Sequence, residues 1–79
     1  MCEVKRELLG ETNKWQKKLE EKLKKVDPSN DKSKRFKKNA EAYFEDSKYF
    51  LRSEDYVRAF ECVIWGWAWL EVGEKEDFI

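Results

Sequence analysis

From Val4 to Val26 the chain places Val4, Leu8, Thr12, Trp15, Leu19, Leu23 and Val26 in one narrow band at about 100° per residue. Most of what lies between them is Lys and Glu, with Glu20/Lys24 and Glu21/Lys25 in the favourable i,i+4 order. Such a segment reads as a solvated helix over residues 3–26 with a single apolar seam to bury. It stops at Asp27-Pro28-Ser29-Asn30-Asp31, because proline lacks an N–H and pushes Asp27 out of the helical region. The Ser, Asn and Asp of that loop are all suited to capping whatever helix follows.

A second helix is predicted over residues 29–52. It carries Phe36, Ala40, Tyr43, Phe44, Ser47, Phe50 and Leu51 within about 120°, and Ser47 is small enough to admit a neighbouring backbone. After Arg52-Ser53-Glu54-Asp55, which supplies N-cap residues, a third helix is predicted over 55–72 with Gly73 as its C-cap. The 79 residues form one domain, and short connections make neighbouring helices antiparallel. The fold class is therefore all-α, an antiparallel up-down-up three-helix bundle.

The run Cys62-Val-Ile-Trp-Gly-Trp-Ala-Trp-Leu70 holds three of the four tryptophans at alternate positions. As a strand it would line all three on one face, but it has no partner segment and strong helix formers flank it, so it is predicted as helix. Tyr56, Ala59, Phe60, Val63, Trp67 and Leu70 then make the core face, widened on one side by Val57, Ile64 and Ala68. Trp65, Trp69 and Val72 point the opposite way, and a helix apolar nearly all round is either central or covered by something else. Two covers compete. The first helix or the Phe78-Ile79 tail could fold over Trp65 and Trp69, with lysine stems shielding them. Alternatively the face is an exposed patch for self-association or a protein partner, for which tryptophan is well suited. Covering both rings would remove on the order of 300 Å² from water, about 5 kcal/mol at most.

Charge narrows the classes of function. Net charge is zero, yet residues 1–38 carry 13 basic and 7 acidic side chains, while 39–79 carry 4 and 10. Lys22, Lys24 and Lys25 end the first helix, and Lys32, Lys34, Arg35, Lys37 and Lys38 open the second at the same end of the bundle. Lys24, Lys25, Lys34, Arg35 and Lys38 are the candidate surface for nucleic acid or another anion. The third helix delivers Glu71, Glu74, Glu76 and Asp77 to that end, so internal compensation is the simpler account. The chain has no histidine, which removes His-assisted nucleophilic catalysis and Glu-x-x-His metal pairs. Glu41 and Glu45 read as solvated charges rather than a metal site, and no glycine-rich phosphate loop exists. No enzyme, cofactor or small-molecule substrate is expected.

Cys2 and Cys62 form no CxxC, and their predicted separation of about 10 Å disfavours an intrachain bond. No apolar run spans a bilayer, and Met1–Gly10 is too charged for a signal peptide, so a cytoplasmic protein is expected. Lysine and glutamate dominate the charged residues, a balance common in thermophile proteins and in short helical chains.

Three stretches of the second hairpin are distinctive: Ala42-Tyr-Phe-Glu-Asp-Ser-Lys-Tyr-Phe-Leu51, Asp55-Tyr-Val-Arg-Ala-Phe-Glu61 and Trp67-Ala-Trp-Leu-Glu-Val-Gly73. Together, over about Phe36–Gly73, they resemble an archaeal family of small helical proteins, domain of unknown function 357 (DUF357). The resemblance implies a helical bundle and an archaeal source, and it brings no catalytic residue. The family tends to have glycine before the turn aspartate, where this chain has Glu54. The resemblance therefore does not carry a left-handed residue over to that turn. The turn is also similar to that of tetratricopeptide repeats, but no repeat at their period is present. The sequence thus points to a protein-interaction or homodimerisation module centred on Trp65, Trp69 and Val72. The alternative is an anion-binding adaptor around Lys32–Lys38.

Overall fold

The computed structural model describes residues 2–76, as three helices: α1 (Glu3–Lys25), α2 (Asp31–Arg52) and α3 (Tyr56–Lys75). Each boundary has a local cause. α1 ends where Val26 turns to extended backbone (φ −76°, ψ 123°) ahead of Asp27-Pro28. The free Val26 carbonyl is met by the Lys37 ammonium at 3.3 Å. α2 opens with a capping box. The Asn30 side chain accepts from the Ser33 N–H at 2.9 Å, and the Ser33 hydroxyl accepts from the Asn30 N–H at 3.0 Å.

The second connection is only Ser53-Glu54-Asp55. Asp55 N–H donates to the Phe50 carbonyl at 2.9 Å and Glu54 N–H to the Leu51 carbonyl at 3.1 Å, the two bonds of a Schellman ending. That ending requires a left-handed residue, and Glu54 supplies it at φ 62°. The left-handed residue that the resemblance did not carry over to this turn is thus present here, on a glutamate. Asp55 is at once the last residue of this motif and the N-cap of α3, its carboxylate accepting from the Arg58 N–H at 3.2 Å.

Gly73 is not the C-cap. It is buried within α3, which continues to Lys75 and closes at Glu76 with φ −91°. It keeps ordinary helical backbone there, with no left-handed conformation. Small residues recur every seventh position on both helices of the hairpin: Ser33, Ala40 and Ser47 on α2, and Ala59, Gly66 and Gly73 on α3, all buried. Ser47 faces Ala59, donating its hydroxyl to the Ala59 carbonyl at 2.6 Å. Ala40 faces Gly66, where a Cβ would come within 3.3 Å of the Ala40 carbonyl oxygen. Falling numbers on α2 meet rising numbers on α3, so the two helices are antiparallel and unusually close.

α1 lies across this pair, parallel to α3. Trp15 meets Trp67 edge to face at 5.3 Å, and Lys22 pairs with Glu74 one end further along. Gln16 donates to the Ser47 hydroxyl at 2.9 Å, so one hydrogen-bond chain runs from α1 through α2 to the α3 backbone. The core between the helices is Leu19, Leu23, Ala40, Phe44, Val63 and Leu70, with Trp15, Val26, Phe60, Ile64 and Trp67 packed against it. The architecture is the expected all-α three-helix bundle.

Candidate functional site

α3 receives α2 along Ala59 and Gly66 and α1 along Phe60 and Trp67. Two neighbours cover about half the circumference of a helix, and α3 is apolar over more than that. The surplus is on the outside. Trp65 is 58% exposed and Val72 49% exposed, with Ala68 half-buried between them. Val57 is 60% exposed, so it belongs to this outer surface rather than to the widened core face.

Trp69 shares the helical side of Trp65 but is half-buried, because Phe36 of α2 meets its ring edge to face at 5.2 Å. The cover over Trp69 is therefore α2, not α1; the Phe78-Ile79 tail lies outside the described residues. Trp67 diverges from both, as helical winding requires. It packs on the core and on Trp15, with the Lys22 ammonium 4.9 Å from its ring and its indole N–H donated to Glu71 at 2.6 Å. The outcome is a strip along α3 in which Trp65, Trp69 and Val72 follow one another at intervals of a helical turn. Arg58 and Glu61 border it at one end and Lys75 and Glu76 at the other, all exposed.

The basic cluster is arranged differently. Lys24, Lys25, Lys34, Arg35 and Lys38 are exposed near the first connection. Several neighbouring lysines are turned inward or engaged: Lys22 with Glu74 and Trp67, and Lys37 with the Val26 carbonyl. Glu20, Glu41 and Glu45 line the same groove between α1 and α2 as Lys24 and Lys37. The cations are thus interleaved with acids on this side.

Cys2 and Cys62 are both free thiols. Burial pushes the Cys62 thiol up from its ordinary range, and the carboxylates of Asp46, Glu61 and Asp55 push it further the same way. Among the described residues, no group of three or more His, Cys, Asp and Glu is placed to hold a metal ion. None of the described helices is long and apolar enough to cross a membrane.

Sequence reasoning found the outward indoles but missed the contact of Phe36 with Trp69 and the seven-residue recurrence of small buried residues on α2 and α3. That signal was present in Ser33, Ala40, Ser47, Ala59, Gly66 and Gly73.

No curated protein matches the chain. Among solved structures, the chain is similar to protein AF1782 from Archaeoglobus fulgidus, a DUF357 protein seen in a crystal structure. The two are 46% identical and superpose with a TM-score of 0.85, over 94% of this chain and 92% of that one. Residues 14–77 match the family described as "Protein of unknown function (DUF357)", a span that takes in about half of α1 as well as the hairpin. With more than half of its length inside that match, the chain belongs to the DUF357 family.

Proposed function

We propose that this protein is a non-catalytic interaction module that associates weakly with a second copy of itself through the outer face of α3. The observation that carries the reading is the exposure of Trp65 beside Val72 and the half-covered Trp69 on one helical strip. A wet tryptophan is a standing cost that association removes, and small domains often complete their burial this way. A face spanning 20 residues is about 30 Å long and about 11 Å wide. Two such faces bury about 700 Å² in total, short of the roughly 1,200–2,000 Å² of stable complexes. A contact of this size belongs with weak, transient pairs. Zero net charge leaves no overall repulsion between copies.

The test is sedimentation equilibrium of the wild type beside Trp65→Ala/Val72→Ala. Both side chains are largely exposed, so the monomer should keep its fold, whereas truncating Trp69 would also remove its contact with Phe36. The wild type should gain mass with concentration and the variant should not. A wild type that stays monomeric at millimolar concentration would overturn the reading. The anion-binding alternative on Lys24, Lys25, Lys34, Arg35 and Lys38 has weaker support, since Glu20, Glu41 and Glu45 interrupt the cations. It requires measurable nucleic-acid affinity at about 50 mM salt that falls steeply as salt rises.

A further inference from the structure

The geometry points to an antiparallel, two-fold pairing of α3 with α3 of a second copy, its direction set by the charges at the two ends of the strip. This inference rests on the self-association proposed above and specifies how the copies meet. Taking Trp65 as zero and about 100° per residue, Arg58 and Glu76 both lie about 20° to one side, with Trp69 about 40° to that side. Glu61, Ala68 and Lys75 lie about 40–80° to the other side.

A two-fold axis perpendicular to the helices keeps each flank facing the same flank of the second copy. With the axis level with Trp67 and Ala68, Trp65 of each copy meets Trp69 of the other, and the small Ala68 side chains meet at the centre. Arg58 comes opposite Glu76 on one flank, and Glu61 opposite Lys75 on the other. Symmetry repeats each pair, giving four contacts between unlike charges around an aromatic centre. In a parallel pair the two-fold runs along the helices and opposite flanks meet, which brings Arg58 and Glu76, only about 20° from the Trp65 line, against their own copies and lays the two helix dipoles with like ends together. An isologous contact of this kind is closed, so it ends at two copies. Among the described residues, the ion pairs within the chain use neither Glu61 nor Lys75. Arg58, which pairs at 3.4 Å with Asp55 on the exposed first turn, has donors to spare.

The test uses Glu61→Lys and Lys75→Glu, alone, mixed and combined, by sedimentation equilibrium at low salt. Each single variant sets like charges together at two symmetry-related positions and should weaken the dimer by about tenfold. An equimolar mixture restores both pairs and should recover wild-type association as a heterodimer, and the Glu61→Lys/Lys75→Glu double variant should recover it as a homodimer. Thermal melts of each sample at low concentration check that the monomers remain folded. Single variants that associate like the wild type would overturn the inference. So would weakened singles that neither the mixture nor the double variant rescues. In both cases loss of the dimer in Trp65→Ala/Val72→Ala would leave the self-association reading standing. A wild type with no concentration dependence would overturn both.

Discussion

Replacing each of two helical glycines by alanine should move stability in opposite directions. Alanine is favoured over glycine in a helix interior by about 1 kcal/mol, so propensity alone predicts a gain at both positions. At Gly10, exposed on α1, a Cβ would meet nothing within 4 Å. Gly10→Ala should therefore realise most of the gain, and 1 kcal/mol corresponds to about 4–8 °C in Tm for a domain of this size. At Gly66 the same Cβ would stand 2.9 Å from Leu19 Cδ2, 3.2 Å from Tyr43 Cβ and 3.3 Å from the Ala40 carbonyl oxygen. Leu19 is a chain end, but it is fully buried and has no empty direction to turn into. The other two contacts belong to the backbone of α2 or sit directly on it, so α2 itself must retreat by a few tenths of an ångström. Overpacking of this kind costs about 1–3 kcal/mol. Less the propensity gain, Gly66→Ala should lose about 1 kcal/mol, and Gly66→Leu several times that. Urea and thermal unfolding followed by far-ultraviolet circular dichroism would measure both variants. A Gly66→Ala protein that melts at or above the wild type, while Gly10→Ala melts higher, would refute the claim that α2 and α3 are held together by the absence of a side chain.

Glu54→Gly should stabilise the fold. A left-handed non-glycine residue costs about 1–2 kcal/mol, and the added freedom of glycine in the unfolded chain returns about half of that, leaving a gain of about 0.5–1 kcal/mol in urea titrations. Thr12 is fully buried, and its hydroxyl has no hydrogen-bond partner among the described residues. Thr12→Val should accordingly gain about 1 kcal/mol, and a loss of that size would mean the hydroxyl is satisfied. For Cys62, burial and three carboxylates disfavour the thiolate, so its alkylation should be slow at neutral pH and accelerate only above the ordinary thiol range. By the same sign, the protonated thiol favours the folded state, and its contribution is lost as pH rises through the raised pKa. Mass-spectrometric pH–rate profiles comparing Cys62 with the exposed Cys2 would check this. Asp46→Asn should bring the Cys62 profile to lower pH.

The helices were legible because their signals are local. The seam from Val4 to Val26, the proline at 28, and the cap residues Asn30 and Asp55 each act within a turn or two of where they stand. The outward direction of Trp65 was legible for the same reason, since helical winding alone separates it from Trp67. What sequence could not place was set by which helix approaches which side. Gly73 has the composition of a C-cap, but α3 runs on past it to Lys75, and it is buried seven residues after Gly66 on the same side of the helix. Val57 has the composition of core, yet neither α1 nor α2 covers its side of α3. Trp69 is half covered because Phe36 of α2 stands against it, a contact between helices that no local pattern announces. The left-handed glutamate at 54 ran against the residue's own preference, and two backbone hydrogen bonds outweigh it.

The three-residue link Ser53-Glu54-Asp55 also acts as a timing mechanism for the molecule. One residue added there would spin everything downstream by about 100° if the two bonded ends kept their geometry. Trp65 would be wound toward α2 into the place of Gly66, Gly66 would take the place of Trp67 beside α1, and Ile64 would be left facing outward. What the protein shows to its surroundings is thus decided about ten positions upstream of the rings that show it, and a single inserted codon at that link would hand the outer face of one of its three rods to a different set of side chains.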